Sequence, residues 1–293
     1  MATIDVWRIK PVDRRLSRST KFESAQPYPF ESGNLRSSIG LEIDMPTSNV
    51  MSFFFRHAVA LLVSYRHRID DPHAKRRLAP FSCSVIVLDD IPCLLTAGHC
   101  IKKIEELIES HEITDISCAI GDIFGHGVKS NIPIPFDLIN SPRFYIDKNE
   151  DELDFGAILL HPNHVRLLEA NGIKGIFEEN WAKIDEKNLD TFFILGFPEE
   201  LAEKELTEDD HALVNPFLLK VEKPGDDIDP SLISDRRFVG VINGELSVAS
   251  IKGMSGGPII GLSRSNPNVY WIVAIQSGWL SSKRIVYGCP IPR

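Results

Sequence analysis

Leu95-Thr96-Ala97-Gly98-His99-Cys100 and Gly253-Met254-Ser255-Gly256-Gly257-Pro258 decide how this chain reads. The first places a histidine just past an apolar, strand-like run, Ile91 to Thr96. The second sets a serine among glycines, where backbone N–H groups can turn toward a developing negative charge. Between them lies Leu153-Asp154-Phe155-Gly156-Ala157-Ile158-Leu159-Leu160, an acidic residue in a strand-like context. Together these supply a general base, an orienting carboxylate and a nucleophile, the equipment for acyl transfer through an activated serine.

Each stretch alone says less. A single histidine on an apolar run is more often a hydrogen-bonded core residue than a catalyst, and Ser-Gly-Gly-Pro alone reads as a turn. Their joint occurrence, in the order His, Asp, Ser, favours the catalytic reading. In that reading Asp154 accepts a hydrogen bond from one imidazole nitrogen of His99 and leaves the other to take the Ser255 proton. Gly253-Met254-Ser255-Gly256-Gly257 also satisfies the Gly-x-Ser-x-Gly elbow of lipases and esterases. Those enzymes order their residues Ser, acid, His and need an alternating βα architecture. Neither is present here. Asp154-Phe155-Gly156 is a chance kinase-like triplet, since no glycine-rich loop or catalytic-loop motif accompanies it.

The rest of the chain fits an all-β protein with a few short helices. It has 293 residues and 43% hydrophobic content, enough to bury a sizeable core. Short apolar runs recur between Gly, Pro, Asn and Asp. Ala58–Tyr65 reads as a first strand. Ser82–Leu88, a turn at Asp89-Asp90 and Ile91–Thr96 read as a hairpin delivering His99. Asp154–Leu160, Thr191–Leu195, Phe238–Ile242, Leu246–Ala249, Pro258–Leu262, Val269–Ile275 and Ile285–Tyr287 read as further strands. Ile104, Leu107 and Ile108 have helical spacing, so a short helix is expected over Lys102–Ser110. Residues 162 to about 190 read as a helix-prone connector.

Several function classes are disfavoured. A net charge of −9 argues against general nucleic-acid binding, because phosphate contacts need a cationic surface. The most apolar stretch, Val50 to Tyr65, is interrupted by Arg56 and His57 and falls short of the roughly 20 residues of a membrane span. No zinc-type Cys-x-x-Cys pair occurs, and His161 and His164 lack companions, so no metal and no cofactor is expected. Met1 to Lys10 has no signal-peptide core, which makes a cytoplasmic protein of bacterial or phage origin the expectation. Residues 1–48, with Arg8, Lys10, Arg14, Arg15, Arg18 and Lys21, read as an N-terminal extension, either a solvated arm or a docking segment. Glu199–Asp210 and Lys223–Pro230 read as solvated loops.

At these residues the chain resembles the trypsin/chymotrypsin-like serine protease superfamily, in its bacterial-type, trypsin-like form. The histidine hexapeptide fits the family's pattern throughout, Ser255-Gly256-Gly257-Pro258 fits its nucleophile motif, and Asp154 fits its acid. The intervals of 55 residues from His99 to Asp154 and 101 from Asp154 to Ser255 exceed the family's usual ones and imply inserted loops. The resemblance covers about residues 50 to 290. It implies one protease domain over 49–293 built as two six-stranded antiparallel β-barrels. Lobe one would run over about 50–165 and lobe two over about 190–290.

The resemblance further implies a serine endopeptidase acting on protein or peptide substrates. Its oxyanion hole would be formed by the backbone N–H groups of Gly253 and Ser255. By the family's spacing, Ala249 forms the base of the primary pocket, followed by Ser250, with walls from Gln276, Ser277 and Gly278. Trp279 is either a wall or a core aromatic. No Asp lies at the base, so small or medium apolar side chains are the expected preference. Secreted relatives carry a disulfide where Cys83 and Cys100 lie, but the odd total of five cysteines favours reduced thiols. Digestive relatives carry an acidic residue before the serine, which pairs with a new N-terminal amine. Met254 cannot do so, which leaves control to loop ordering, a regulatory protein partner or the N-terminal arm. The competing class is a latent or silent protease-fold binding subunit of a larger bacterial assembly.

Overall fold

Ala58–His67 (β1) is buried along most of its length, and its two faces go to different places. Val59, Leu61 and Val63 enter the core of the first lobe, while Ala58, Ala60 and Leu62 face a second apolar cluster shared with the other lobe. A strand buried on both faces reads as a continuous apolar run, which is why Ala58–Tyr65 shows no clean alternation. The same division recurs in the second lobe. Phe192 and Ile194 point into that lobe's core, whereas Phe193 and Leu195 join the shared cluster.

The structure is a computed structural model. It describes residues 54–291 apart from 71–72, 125–131, 148–152, 178–188, 203, 207–213, 227, 234–235 and 263–269. The N-terminal extension expected over 1–48 lies outside the described residues, as do parts of the connector before residue 190 and of the acidic stretch 199–210.

The first sheet contains β1, Arg77–Leu88 (β2), Ile91–Thr96 (β3), Ile113–Gly121 (β4), Ile134–Phe136 (β5), Arg143–Asp147 (β6), Asp154–Leu159 (β7) and Ile176–Phe177 (β8). Its order is β5-β4-β1-β2-β3-β7-β6, with β8 parallel to β2. The second contains Thr191–Gly196 (β9), Phe217–Val221 (β10), Phe238–Val241 (β11), Pro258–Leu262 (β12), Tyr270–Leu280 (β13) and Ile285–Pro290 (β14), in the order β10-β9-β12-β13-β14-β11. With β5 and β8 set aside, both sheets follow the same circular order: first, second, third, sixth, fifth, fourth.

In the second sheet the circle is closed by a bridge between Glu222 and Val241, which exchange N–H···O bonds of 3.0 and 2.8 Å. In the first, β5 extends β4 where the circle would close. The helix Gly98–Glu109 (α1) packs across β6 and β7. The all-β, two-lobed expectation therefore holds, and the first sheet carries two short strands beyond six. A second helix, Pro162–Ala170 (α2), opens the connector.

Local chemistry explains the main turns. The β2–β3 hairpin turns at Asp89 and Asp90, whose φ values of 47° and 64° are those of a type I′ turn, tolerated by Asp. Leu246–Ala249 is not a strand: residues 247–249 form bends, and the backbone N–H of Ala249 goes to a side chain rather than to a ladder. The helix after His99 begins four residues earlier than expected, at Gly98, because helical spacing cannot register a glycine.

Candidate active site

His99 is the second residue of α1, and Asp154 is the first residue of β7. Two glycines let helix and strand meet. A Cβ on Gly98 would lie 1.9 Å from the Ile146 carbonyl oxygen, and one on Gly156 would lie 2.4 Å from Ile101 Cδ1. The close approach brings the Asp154 carboxylate, 1% exposed, onto the start of the helix. One oxygen accepts from His99 Nδ1 at 2.7 Å and the other from the His99 backbone N–H at 3.0 Å. Nδ1 therefore carries a proton toward the carboxylate and Nε2 faces away from it. Asp154 also serves the helix N-terminus, which has no side-chain cap of its own.

Burial pulls the His99 pKa down. The hydrogen bond and charge of Asp154, with Cys100 beside the ring, outweigh it and lift the pKa from 6.5 to about 10. Cys100 Sγ also donates to the Ser255 carbonyl at 3.5 Å, so the two motifs touch. Among the described residues no hydrogen bond joins the Ser255 hydroxyl to His99. Such contacts commonly tighten only when substrate binds.

Around Ser255 the backbone N–H groups divide into two sets. Lys252, Met254, Gly256 and Gly257 donate to Ser250 Oγ, Ile251 O, Gln276 O and Met254 O at 3.1, 3.1, 2.7 and 2.9 Å. Gly253 and Ser255 donate to nothing among the described residues. These two are the pair the sequence singles out for an oxyanion hole. The Lys252 carbonyl accepts from the Glu199 N–H at 2.8 Å. In a trans peptide C=O and N–H point oppositely, so this bond turns the Gly253 N–H away from Glu199. Gly253 has φ +95°, and a Cβ there would lie 2.7 Å from both Glu199 N and Phe197 O. Gly256, φ +91°, leaves room for Thr96 Oγ1 and the Ser82 carbonyl. Met254 is wholly buried in the core of the second lobe.

The residues expected to line the primary pocket fall into two groups held by different partners. Gln276 is buried beside the nucleophile loop, its carbonyl taking the Gly256 N–H and its own N–H donating to Gly257 O at 2.8 Å. Ser277 is buried and Gly278 half-buried. Ala249 is exposed and Ser250 half-buried. Their N–H groups both donate at 2.9 Å to Glu200, one to each carboxylate oxygen. No hydrogen bond joins the two groups among the described residues. Trp279 packs against the core of the second lobe.

Sequence reasoning did not single out Ser82, Glu199 and Glu200. A signal for Ser82 existed: a serine within an apolar strand must find partners if buried. Glu199 and Glu200 lie on a short 3-10 turn, Glu199–Leu201, inside an acidic stretch that reads as a solvated loop. All described cysteines are free thiols, so Cys83 and Cys100 are unbonded, and burial pushes the Cys83 thiol up to about 12. Among the described residues no group of three or more His, Cys, Asp or Glu is placed to hold a metal ion, and no helix is long and apolar enough to cross a membrane.

The circular strand order and the two sheets make this a chymotrypsin-like double β-barrel fold. No family model matches the chain, and no curated protein matches it. Among solved structures it is similar to the protease Anisep from Arthrobacter nicotinovorans, at 13% identity and a TM-score of 0.40, covering 80% of this chain and 90% of that one. It is similar to a Glu endopeptidase in complex with MPD at 12% and 0.41, covering 78% and 83%. It is also similar to catalytically active tobacco etch virus protease complexed with product, at 10% and 0.41, covering 84% and 76%.

Proposed function

We propose that this chain is a serine endopeptidase hydrolysing peptide bonds in protein or peptide substrates. Ser255 attacks the carbonyl carbon, and its proton passes to His99 Nε2. Asp154 holds the imidazole through Nδ1 and stabilises the imidazolium. The tetrahedral oxyanion is received by the N–H groups of Gly253 and Ser255. His99 then protonates the leaving amine, and water, activated the same way, releases the acyl group. The observation that carries this reading is the two-point grip of Asp154 on His99, at 2.7 and 3.0 Å. That grip fixes both the tautomer and the ring.

Pocket residues Ala249, Ser250, Gln276, Ser277 and Gly278 carry no charge, and both oxygens of the nearby Glu200 are taken by backbone N–H groups. This supports a preference for small or medium apolar side chains at the cleavage site. A peptide-library profile dominated by Arg, Lys or Glu would sink it.

The test of the catalytic reading is labelling of the purified protein by a fluorophosphonate. Labelling of the wild type, lost in Ser255→Ala and His99→Ala, is the expected result. A second reading has its own observation. His99, lifted to about 10, holds its proton at neutral pH, and a protonated imidazole cannot accept from Ser255. In that reading the chain is a latent protease subunit that a partner must activate. Labelling absent at pH 7 and gained at pH 9 to 10 favours it.

A further inference from the structure

Ser82 lies on β2 in the first lobe, yet both partners of its side chain lie in the second. Its hydroxyl donates to the Gly253 carbonyl at 2.8 Å and accepts from the Phe197 N–H at 2.9 Å. The residue is 0% exposed. We infer that Ser82 is a positioning residue that fixes the Gly253–Met254 peptide, and with it the backbone entering Ser255, and makes that placement conditional on docking of the two lobes. The inference rests on the proposed peptidase reading.

Gly253 sits between two peptide planes. The plane before it is fixed by the bond from Glu199 N–H to the Lys252 carbonyl, within the second lobe. The plane after it is fixed by Ser82, from across the interface. With φ +95° and no Cβ, Gly253 has little local preference to hold it there, so its orientation depends on those two anchors. The same Ser82 residue accepts Thr96 Oγ1 at its carbonyl at 2.8 Å, three positions before His99, and that carbonyl lies against Gly256. One buried residue thus touches the segment leading to the base, the glycine after the nucleophile and the oxyanion loop. Separating the lobes removes the second anchor while leaving the first intact.

The matched control is Tyr270→Phe. Tyr270 makes another buried inter-lobe hydrogen bond, 2.6 Å to His57 Nε2, away from the nucleophile loop. The measurement is inactivation by a fluorophosphonate, resolved into a limiting rate and a half-saturating concentration, beside thermal unfolding of each variant. Ser82→Ala is expected to lower the limiting rate about 10- to 100-fold, as a displaced nucleophile loop should, with the half-saturating concentration unchanged. Tyr270→Phe is expected to lower the melting temperature by a similar few degrees and leave the limiting rate within about twofold of wild type.

A limiting rate for Ser82→Ala within that same range overturns the inference, as does an equal fall in both variants. If the wild type does not label at all, the peptidase reading fails and the positioning claim is decided by amide exchange. Ser82→Ala must then speed exchange at Met254, whose N–H bonds to Ile251, while Tyr270→Phe does not; equal rates overturn it.

Discussion

At the scale of single residues the decisive quantity is the proton on His99. Its pKa in the fold, about 10, lies above the ordinary 6.5, so the protonated form is the one the fold stabilises. The stability this contributes is fully present below pH 6.5 and is lost as pH rises through about 10. In the proposed mechanism reactivity runs the other way, because only a neutral imidazole accepts the Ser255 proton. Fluorophosphonate labelling is therefore expected to climb with pH to a plateau above about 10. Asp154→Asn should move that rise to lower pH while slowing the plateau about 10⁴-fold, the loss expected when the tautomer is no longer fixed. Cys100→Ala should move it the same way with the plateau kept. A rise at unchanged pH in both variants would show that neither neighbour holds the proton.

At the scale of elements, α1 and β7 make the His99–Asp154 contact by approaching through glycines. In an ordinary helix Gly→Ala is favourable by about 1 kcal/mol. At Gly98 the sign reverses, since the new Cβ would meet a backbone carbonyl at 1.9 Å and the helix must move. Gly98→Ala is expected to lower the melting temperature and the labelling rate together. A stabilised, fully labelled variant would refute this account of the approach. The turn carrying Glu199 and Glu200 works differently. Glu200 is exposed, so Glu200→Gln should cost under about 1 kcal/mol of stability. It should weaken binding of a peptide aldehyde more than it slows a small fluorophosphonate, because it frees one of the Ala249 and Ser250 N–H groups.

What the sequence made legible at this scale follows from how each contact is encoded. The hairpin before His99, most of the strands and the order His, Asp, Ser are local patterns, and they were readable. The strand β4, Ile113–Gly121, was not, because its burial alternates weakly and Asp115 interrupts it with φ 54°. Leu246–Ala249 has the composition of a strand, but its last N–H, that of Ala249, goes to Glu200 instead of a neighbouring strand. Ser82, Glu199 and Glu200 act through contacts 171, 53 and about 50 positions away, and no window on the sequence contains both partners.

At the scale of the whole molecule, the two lobes are joined by an apolar cluster with a few buried polar contacts set in it. Phe54 stacks on Phe193 and meets Tyr270 edge-on, and Phe55 and Phe197 pack beside them. Each such ring contributes roughly 1.5–3 kcal/mol by burial. Inside this cluster lies His57, wholly buried. Its Nδ1 faces the Lys174 carbonyl at 2.9 Å, so Nδ1 carries the proton and Nε2 must accept from the Tyr270 hydroxyl at 2.6 Å. Both nitrogens are satisfied only while the ring is neutral. Burial accordingly lowers its pKa from 6.5 to about 3, against a smaller upward pull from the Lys174 carbonyl.

The sign is that of a depressed group. Between pH 6.5 and about 3 the unfolded chain binds a proton that the folded one refuses, so stability falls as pH falls through that window. The limiting slope from this one group is about 1.4 kcal/mol per pH unit. Acid should therefore loosen the lobe interface. If lobe docking also places the backbone entering Ser255, labelling at Ser255 should fade with the same acid midpoint as unfolding in the wild type. In His57→Gln, which cannot gain a charge, the unfolding midpoint should shift to lower pH and the slope above it should flatten. An unchanged acid limb in that variant would place the pH sensitivity elsewhere than at the interface between the lobes.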